Sequence, residues 1–434
     1  MSVQLVSILC LVAVVLSIVI GNVKKINIGI IALIFAYIIG CVIPGNFAST
    51  VTTLFPVKIM MYLVTVCYFY GFAILNGTMQ ALGDRIVYAF RNKPAALPFA
   101  IFIGAFIVAA AGGGGGLMGV IVMAPIAFQL AKKANFSPLL AYMAVAMGSP
   151  LGGTTFWSVG GVTTRSIAES SGIEGALALV QKQSLALAIA SISFFLILYF
   201  VTKGYKTQKV DVAKPEPMTK GQKTTLTMII VTIVLVVVPS LINIIAPNPV
   251  CRYLANYVCE IQLISLIMGV LCTLLKLGDE KQVLKTQIPW NMILTICGVG
   301  TLIAVASKFG VITLVSEWIG SNLGGGAVTV AMTVVGAGLS FVSDGMGVCM
   351  PTFYPMMAGI AATAGVSIAP MFLGFTVGIW GTAASPLSSA GGLGMSMCDE
   401  ENRGKLFTTS LVTTILYGVW IVLLALVGVF NIFG

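Results

Sequence analysis

The chain has 434 residues, of which 58% are hydrophobic and only 8% are charged. This composition carries too much apolar surface for a soluble domain of that size and indicates a polytopic membrane protein. The net charge of +10 does not indicate nucleic-acid binding, because the basic residues flank apolar segments instead of forming one patch. The absence of histidine argues against a His-ligated metal or a His-based triad, and therefore disfavours an intramembrane enzyme.

In the first half, apolar segments of about 20 residues, the length that crosses a bilayer, predict five membrane spans. These spans are 3–22, 26–44, 56–82, 138–167 and 176–202. The first one lacks the positive start and the cleavage site of a signal peptide and is expected to be retained. Segment 97–131 is apolar at both ends but is interrupted by Ala111 to Gly116, which is too flexible to continue one helix. It predicts a re-entrant hairpin.

The basic segment 203–223 predicts a cytoplasmic linker, after which residues 224–434 repeat the plan of residues 1–202. The predicted spans are 225–246, 254–276, 289–306, 367–396 and 406–432. A second hairpin is expected at 326–364 with its tip at Ser343-Asp344-Gly345, and 309–320 is expected to be an amphipathic connector at the membrane interface. The predicted fold is an all-α polytopic membrane protein of ten spans and two hairpins.

The distribution of basic residues predicts the orientation. With both termini outside, 18 of the 23 basic residues fall in internal loops, as the positive-inside rule requires. The five outside are Lys58, Arg165, Lys182, Arg252 and Lys308. The two halves then have inverted topology, so that the first hairpin opens from the cytoplasm and the second from outside.

The tripeptide Ser-Pro-Leu interrupts an apolar segment at Ser149-Pro150-Leu151 and again at Ser385-Pro386-Leu387. Pro125 and Pro355 correspond in the same way, and so do Pro56 and Pro289, at offsets of 230 to 236 residues. Matched interruptions of this kind point to the binding site of a repeat-built secondary transporter. We expect each serine to cap, and each proline to begin, a half-helix that restarts within the membrane.

Non-helical backbone at membrane depth requires protein or a water-filled cavity around it, so the breaks and hairpin tips are expected to converge. Free N–H groups at a restarting half-helix suit an anion, and free carbonyls suit a small cation. The residues predicted to bind a small carboxylate are Gly114, Gly115, Gly116, Ser149, Gly152, Gly153, Thr154, Thr155, Ser343, Ser385, Ser388 and Ser389. For any single Ser or Thr, a hydrogen bond to its own helix is an equal alternative. Arg165 is either a carboxylate clamp or, preferably, an arginine at the membrane end.

Asp344 is the only one of the 13 acidic residues predicted to lie deep in the membrane, where a carboxylate costs about 2.5 to 3.5 kcal/mol. It is expected to coordinate Na⁺ or to carry a coupled proton, and the alternative is an N-cap at a wet hairpin tip. The predicted coupling-ion residues are Asp344, Ser343, Thr382 and Ser149. No cofactor other than Na⁺ is expected.

Three segments resemble the ion transporter superfamily, which includes the divalent anion:Na⁺ symporters: GGGLMGVIVMAPIA, PWNMILTICGVGTLIAVASKFGV and MGSPLGGTTFWSVGGV. Two others, INIGIIALIFAYIIG and FAILNGTM, resemble the MatC malonate and dicarboxylate carrier family. The resemblance implies an elevator-type carrier in the cytoplasmic (inner) membrane, often a homodimer. In the symporters, Ser-Asn-Thr at the hairpin tips binds carboxylate and Na⁺. Here the first tip is glycine only, and of the second tip only Ser343 matches.

The sequence therefore predicts a secondary transporter for a small carboxylate such as malonate or a C4-dicarboxylate, coupled to Na⁺ or H⁺. A first alternative is the membrane subunit of a TRAP-type system, which needs a small membrane partner and an extracytoplasmic receptor. A remote alternative is an intramembrane enzyme. Such an enzyme usually recruits paired acid and base groups, whereas only one deep carboxylate is predicted.

Overall fold

A computed structural model shows a chain built from helices. It describes residues 3–42, 51–111, 116–209, 214–245, 249–308, 310, 317–319, 322–323, 325–342, 345–398 and 400–433. Within these ranges the regular structure is helical throughout, and no strand occurs. The all-α prediction is confirmed.

The first half contains nine α-helices within the described ranges. They are α1 Val3–Lys24, α2 Ile28–Val42, α3 Val57–Leu75, α4 Thr78–Ala89, α5 Leu97–Ala111, α6 Leu117–Lys133, α7 Pro138–Gly153, α8 Val159–Ser170 and α9 Ala176–Val201. Helices α5 and α6 pack closely against each other, since a Cβ on Gly119 of α6 would lie 2.7 Å from the carbonyl oxygen of Ala105. They occupy the segment predicted as the first hairpin, and α7 with α8 occupies the predicted broken span.

The second half contains ten α-helices within the described ranges. Its helices are α10 Lys220–Ile245, α11 Pro249–Tyr253, α12 Ile261–Leu274, α13 Glu280–Thr286, α14 Trp290–Lys308, α15 Gly326–Val342, α16 Met350–Ala364, α17 Ile368–Thr382, α18 Ser389–Ser396 and α19 Glu400–Leu426. A π-helical turn, Gly345–Cys349, leads into α16. The predicted connector 309–320 lies largely outside the described residues.

The predicted third span is too long at its end. Helix α3 stops at Leu75 because Gly77 has a φ of +75°, and α4 then begins at Thr78. The side-chain oxygen of Asn76 fixes this turn by accepting hydrogen bonds from the Thr78 backbone N–H at 3.1 Å and from its hydroxyl at 2.5 Å. Helix α4 carries Asp84 and Arg85, so its sequence suits the edge of a membrane better than its centre.

Six helical segments in the described part of the chain are long and apolar enough to cross a membrane. They are Val57–Leu75, Pro94–Ala111, Ala176–Val201, Lys220–Pro239, Trp290–Lys308 and Arg403–Leu426. Other apolar helices, such as those within α1, α2, α12, α15 and α17, are shorter. Large apolar side chains such as Leu185, Ile192 and Val419 are exposed on the long helices, as a surface in contact with lipid requires. The polytopic membrane fold is therefore confirmed.

Two helices of the first half pack against two helices of the second half. We call these four helices, α2, α3, α12 and α14, the scaffold. Helix α3 packs on α12, and α14 packs on α2. Glycines permit the close approach, because a Cβ on Gly298 of α14 would clash with the carbonyl oxygen of Gly29 in α2, and a Cβ on Gly269 with the ring of Tyr68. These contacts hold the two halves of the chain together.

The equivalent helices α3 and α14 run in opposite directions. Pro56, at the start of α3, lies beside Gly300 in the middle of α14, whereas Gly71 near the end of α3 lies beside Val283 and Gln287, which precede α14. Antiparallel equivalents are what an inverted repeat requires. The boundaries at 202 and 223, and which side of the membrane each end faces, remain predictions.

Candidate functional site

The two broken helices restart in the same way, each with a serine. The hydroxyl oxygen of Ser158 accepts from Gly161 N at 3.5 Å, and that of Ser388 accepts from Gly391 N at 3.0 Å. Each hydroxyl also lies within hydrogen-bonding distance of the carbonyls three and five residues earlier, which are Thr155 and Gly153 for Ser158. For Ser388 these carbonyls belong to Ser385, at 2.8 Å, and Ala383, at 2.7 Å. These serines cap α8 and α18.

This equivalence corrects the predicted pairing of the two Ser-Pro-Leu tripeptides. Ser158 and Ser388 are 230 residues apart, whereas the tripeptides are 236 apart. Ser149, Pro150 and Leu151 lie in the last turns of α7, while Ser385, Pro386 and Leu387 lie in the break between α17 and α18. At the structural offset, Trp380 corresponds to Pro150 and Ile379 to Ser149. Ser149 therefore does not cap a restarting half-helix.

A cavity of about 40 Å³ lies where the first hairpin and both broken helices meet. Helix α6 and its N-cap line it from Gly116 to Phe128, and α7 lines it from Ala141 to Pro150. The end of α17, the second break and α18 line it from Trp380 to Gly394. Most of the described lining residues are apolar or glycine, and no charged side chain occurs among them. We call this the central cavity. Of the residues predicted from the sequence, it is lined by Gly116 and Ser149.

Two hydrogen-bond donors on the wall of the central cavity have no partner. The Ser149 side chain is 0% exposed and that of Trp380 is 5% exposed, and neither Ser149 Oγ nor Trp380 Nε1 forms a hydrogen bond within the protein. A buried polar group left unpaired costs about 1 to 3 kcal/mol, so each one needs an explanation. Both residues line the central cavity, so the cavity offers a common explanation for their unpaired groups.

The last turns of α7 also leave one carbonyl without its usual helical donor. Pro150 has no backbone N–H, so the carbonyl of Ala146, four residues earlier, lacks its usual intrahelical donor. Both residues line the central cavity. The site therefore combines donors suited to an anion with a carbonyl suited to a cation.

Tyr142 connects the two broken helices across the central cavity. Its hydroxyl donates to the carbonyl of Ala384 at 2.7 Å and lies 3.2 Å from that of Gly391. Tyr142 belongs to α7, and both carbonyls belong to the second break and α18. This bond holds the two halves of the site in register.

The first hairpin reaches the broken helix through Gly116. Gly116 has a φ of +100°, and a Cβ there would lie 3.3 Å from the Ser149 carbonyl oxygen. Gly119, one turn later, has no space for a side chain, because a Cβ would clash with Ser149 Oγ. Gly114 and Gly115 lie outside the described residues.

The other predicted groups of the first break do not reach the central cavity. The Thr154 and Thr155 hydroxyls donate to Leu151 O at 3.0 Å and Gly152 O at 2.9 Å, which is the alternative role given above for single hydroxyls. Gly152 packs against the carbonyl of Phe106 in α5, and the carbonyl of Gly153 accepts from Ser158. Their substrate-binding role stays a prediction.

In the second break, the predicted residues serve the local backbone. Ser385 Oγ accepts from Leu387 N at 3.2 Å, and Ser388 is the cap described above. The Thr382 hydroxyl is shared between Ala337 O at 2.8 Å and Gly378 O at 2.9 Å. The side chain of Ser389 is not described.

Ser343 and Asp344, at the second hairpin tip, lie outside the described residues. The adjoining Gly345 packs against Ile379, whose carbonyl accepts from Ser340 at 2.8 Å. Ile379 directly precedes Trp380 in α17. The turn that follows the second tip therefore contacts α17 next to the central cavity. The coupling role of Asp344 stays a prediction.

Arg165 lies in an ion-pair network outside the central cavity. Its Nε is 2.7 Å from Glu169 Oε1, and Lys58 Nζ of α3 is 2.6 Å from Glu169 Oε2. Arg165 Nη1 is also 3.9 Å from Glu260 Oε1 at the start of α12. Burial raises the pKa of Glu169, but Lys58 and Arg165 outweigh it, so its pKa is lower than the ordinary value. The network links α8 to the scaffold.

Sequence reasoning missed Ser158, Tyr142 and Trp380. A signal for Trp380 was available, because tryptophan in membrane proteins favours the interface, and this one lies near the middle of an apolar segment, two residues before Thr382. No signal distinguished Tyr142, since its role depends on carbonyls more than 240 residues away.

Comparisons with known proteins agree with this architecture. A family model described as the N-terminus of the dicarboxylate carrier protein MatC matches residues 1–153, about a third of the chain. No curated protein matches the sequence significantly. The crystal structure of the Alcanivorax borkumensis YdaH transporter, described as having an unusual topology, is similar over 98% of this chain and 97% of that one, with 13% identity and a TM-score of 0.53. The chain thus has the fold of a polytopic membrane transporter, and its first third is similar to a dicarboxylate carrier.

Proposed function

We propose that the chain is a secondary active transporter for a small carboxylate, and that the central cavity is its substrate site. The observation that carries the proposal is the pair of unpartnered buried donors, Ser149 Oγ and Trp380 Nε1, on the wall of one cavity between the two breaks. Neutral O–H and N–H donors bind a carboxylate and release it more easily than a buried arginine would. The similarity of residues 1–153 to MatC supports a dicarboxylate such as malonate or a C4-dicarboxylate.

The size of the central cavity supports a mechanism with movement. At about 40 Å³ it has room for a few water molecules and is too small for a dicarboxylate. The walls must therefore separate to admit substrate. We propose that the hairpins and broken helices move together against the scaffold, as in an elevator-type carrier, and that the transporter is a homodimer in the cytoplasmic membrane with both termini outside.

We propose Asp344 as the group that couples transport to Na⁺ or H⁺. A carboxylate at a hairpin tip suits either ion, and the Ala146 carbonyl, which lacks its usual helical donor, offers a second oxygen for Na⁺. In the Na⁺ case, Asp344, Ser343 and the Ala146 carbonyl would supply oxygen ligands. In the H⁺ case, Asp344 alone would carry the proton.

Uptake into proteoliposomes by the purified full-length chain tests the function. We expect accumulation of at least one labelled mono- or dicarboxylate when a Na⁺ or a pH gradient is imposed separately. Uptake by the chain alone would exclude the TRAP-type alternative, which requires two partner proteins. Failure to move any carboxylate under either gradient would refute the proposal.

A further inference from the structure

A second cavity lies between the scaffold and the broken helix, at the end of the molecule that carries the Arg165 network. It has a volume of about 440 Å³, and its walls are α3 and α14 on one side and α8 and α16 on the other. Among its described lining residues, the charged or hydroxyl groups are Thr53, Ser170, Ser171, Ser307 and Lys308. We call it the vestibule.

We propose that the vestibule is a docking site for the carboxylate before it reaches the central cavity, with Lys308 as its anion-binding group. The inference rests on the proposed function. Among the residues that the structure describes, no carboxylate pairs with the Lys308 ammonium. By contrast, Lys58 and Arg165 share Glu169, the neighbour of Ser170. Lys308 is therefore the cation of the vestibule that is available to a ligand.

Hydroxyls from two helices face the same space as Lys308. Ser170 and Ser171 end α8 and donate to Ile167 O at 2.9 and 2.7 Å, and Ser307 of α14 donates to Ile303 O at 2.7 Å. A hydroxyl that bonds its own helix turns readily toward a better acceptor, and a carboxylate is a better acceptor than a carbonyl. The vestibule thus offers one charge and three adjustable donors.

Lys308 also has a simpler role, because a cation in the last turn of a helix interacts favourably with the helix dipole. That role concerns α14 alone. It does not account for the large cavity, or for the hydroxyls of α8 that face the same space. The two roles predict different results when the charge is removed.

The vestibule is close to the central cavity but distinct from it. Ile167 of α8 lines the vestibule, and Gly160 on the same helix contacts the ring of Trp380. Ile167 is seven residues beyond Gly160, which corresponds to about 10 Å along the helix. The wall of the vestibule at Ile167 is therefore a short distance along α8 from Trp380, one of the two residues with an unpartnered donor.

The test compares Lys308→Gln with wild type in proteoliposome uptake as a function of carboxylate concentration. We expect KM to rise on the order of threefold to fivefold with the maximal rate unchanged, as for loss of one exposed charge contact. The difference should vanish at about 1 M salt, where charges are screened beyond about 3 Å. Lys308→Arg should keep the wild-type KM, and the matched control Lys182→Gln, whose ammonium bonds the Phe433 carbonyl, should not change it.

Two outcomes would overturn the proposal in distinguishable ways. If wild type transports a carboxylate but Lys308→Gln has the same KM at low salt, Lys308 serves only the end of α14, and a lower melting temperature would be its sole effect. If wild type transports no carboxylate, the proposed function fails and the vestibule proposal fails with it. Should Lys308→Gln not fold, the double variant Ser170→Ala/Ser171→Ala applies the same KM criterion.

Discussion

Ser158 and Ser388 cap the two restarting half-helices with the same set of hydrogen bonds, although the residues that precede them differ. At this register Trp380 occupies the position of Pro150, so the second half contributes an N–H where the first half has none. The two breaks therefore share their capping hydrogen bonds but present different side chains. The unpartnered donors of the central cavity, Ser149 and Trp380, come from adjacent and non-equivalent positions of the repeat.

Removal of either cap should destabilise the protein. We expect Ser158→Ala and Ser388→Ala each to cost about 1 kcal/mol, because the half-helix loses the acceptor for its first N–H groups. Thermal unfolding in detergent measures the effect. Ser396→Ala removes an exposed hydroxyl that bonds only Leu393 O and serves as the control. Equal melting temperatures for all three variants would contradict the assignment of the caps.

Gly119 should not tolerate alanine. An added methyl group would clash with Ser149 Oγ and lie 2.7 Å from the Ala105 carbonyl oxygen, so the hairpin must shift. We expect lower thermal stability and lower uptake for Gly119→Ala. The control is Gly338→Ala, because nothing lies within 4 Å of a Cβ at that helical position and alanine there should be neutral or stabilising by up to about 1 kcal/mol. Normal uptake by Gly119→Ala would show that Ser149 does not need its present position.

The Arg165 network should contribute stability that depends on pH. Because the pKa of Glu169 is lower in the folded protein, its contribution is fully present above the ordinary glutamate pKa of 4.5 and is lost as the pH falls through the lowered value. We expect Glu169→Gln to unfold at a lower temperature than wild type at pH 7, with a smaller difference near pH 4. The exposed Glu174→Gln is the control. A difference that grows on acidification would contradict the network.

Asp344→Asn should uncouple transport from its ion. If Asp344 carries H⁺ or binds Na⁺, the variant loses the response of uptake to the corresponding gradient. Uptake is measured with each gradient imposed in turn, and Asp84→Asn in α4 is the control. Unchanged coupling in Asp344→Asn would exclude both roles and leave the capping role.

Much of the architecture could be predicted from the sequence, because span length and glycine or proline interruptions act locally. The segments 97–131 and 326–364 hold helix pairs, and the breaks fall after Gly153 and Thr382. The register between the halves could not be predicted from Ser-Pro-Leu, because Pro150 is accommodated near the end of α7 while Pro386 lies in a break. The contacts between the two halves could not be predicted either, because Tyr142 and Trp380 acquire their roles only when the halves pack together. The clustering of hydroxyls predicted a binding role for Thr154 and Thr155, whereas both side chains form hydrogen bonds to nearby backbone carbonyls.

Uptake of a labelled dicarboxylate by Trp380→Phe tests the central claim most directly, because phenylalanine keeps an aromatic ring and removes the unpartnered N–H. The account predicts that wild type accumulates the carboxylate and that Trp380→Phe has a KM roughly tenfold higher, as expected for loss of a charge-assisted hydrogen bond. Trp420→Phe, which removes an N–H bonded to Ser193 Oγ, should retain the wild-type KM. A Trp380→Phe variant with wild-type KM and rate would contradict the assignment of the central cavity as the substrate site.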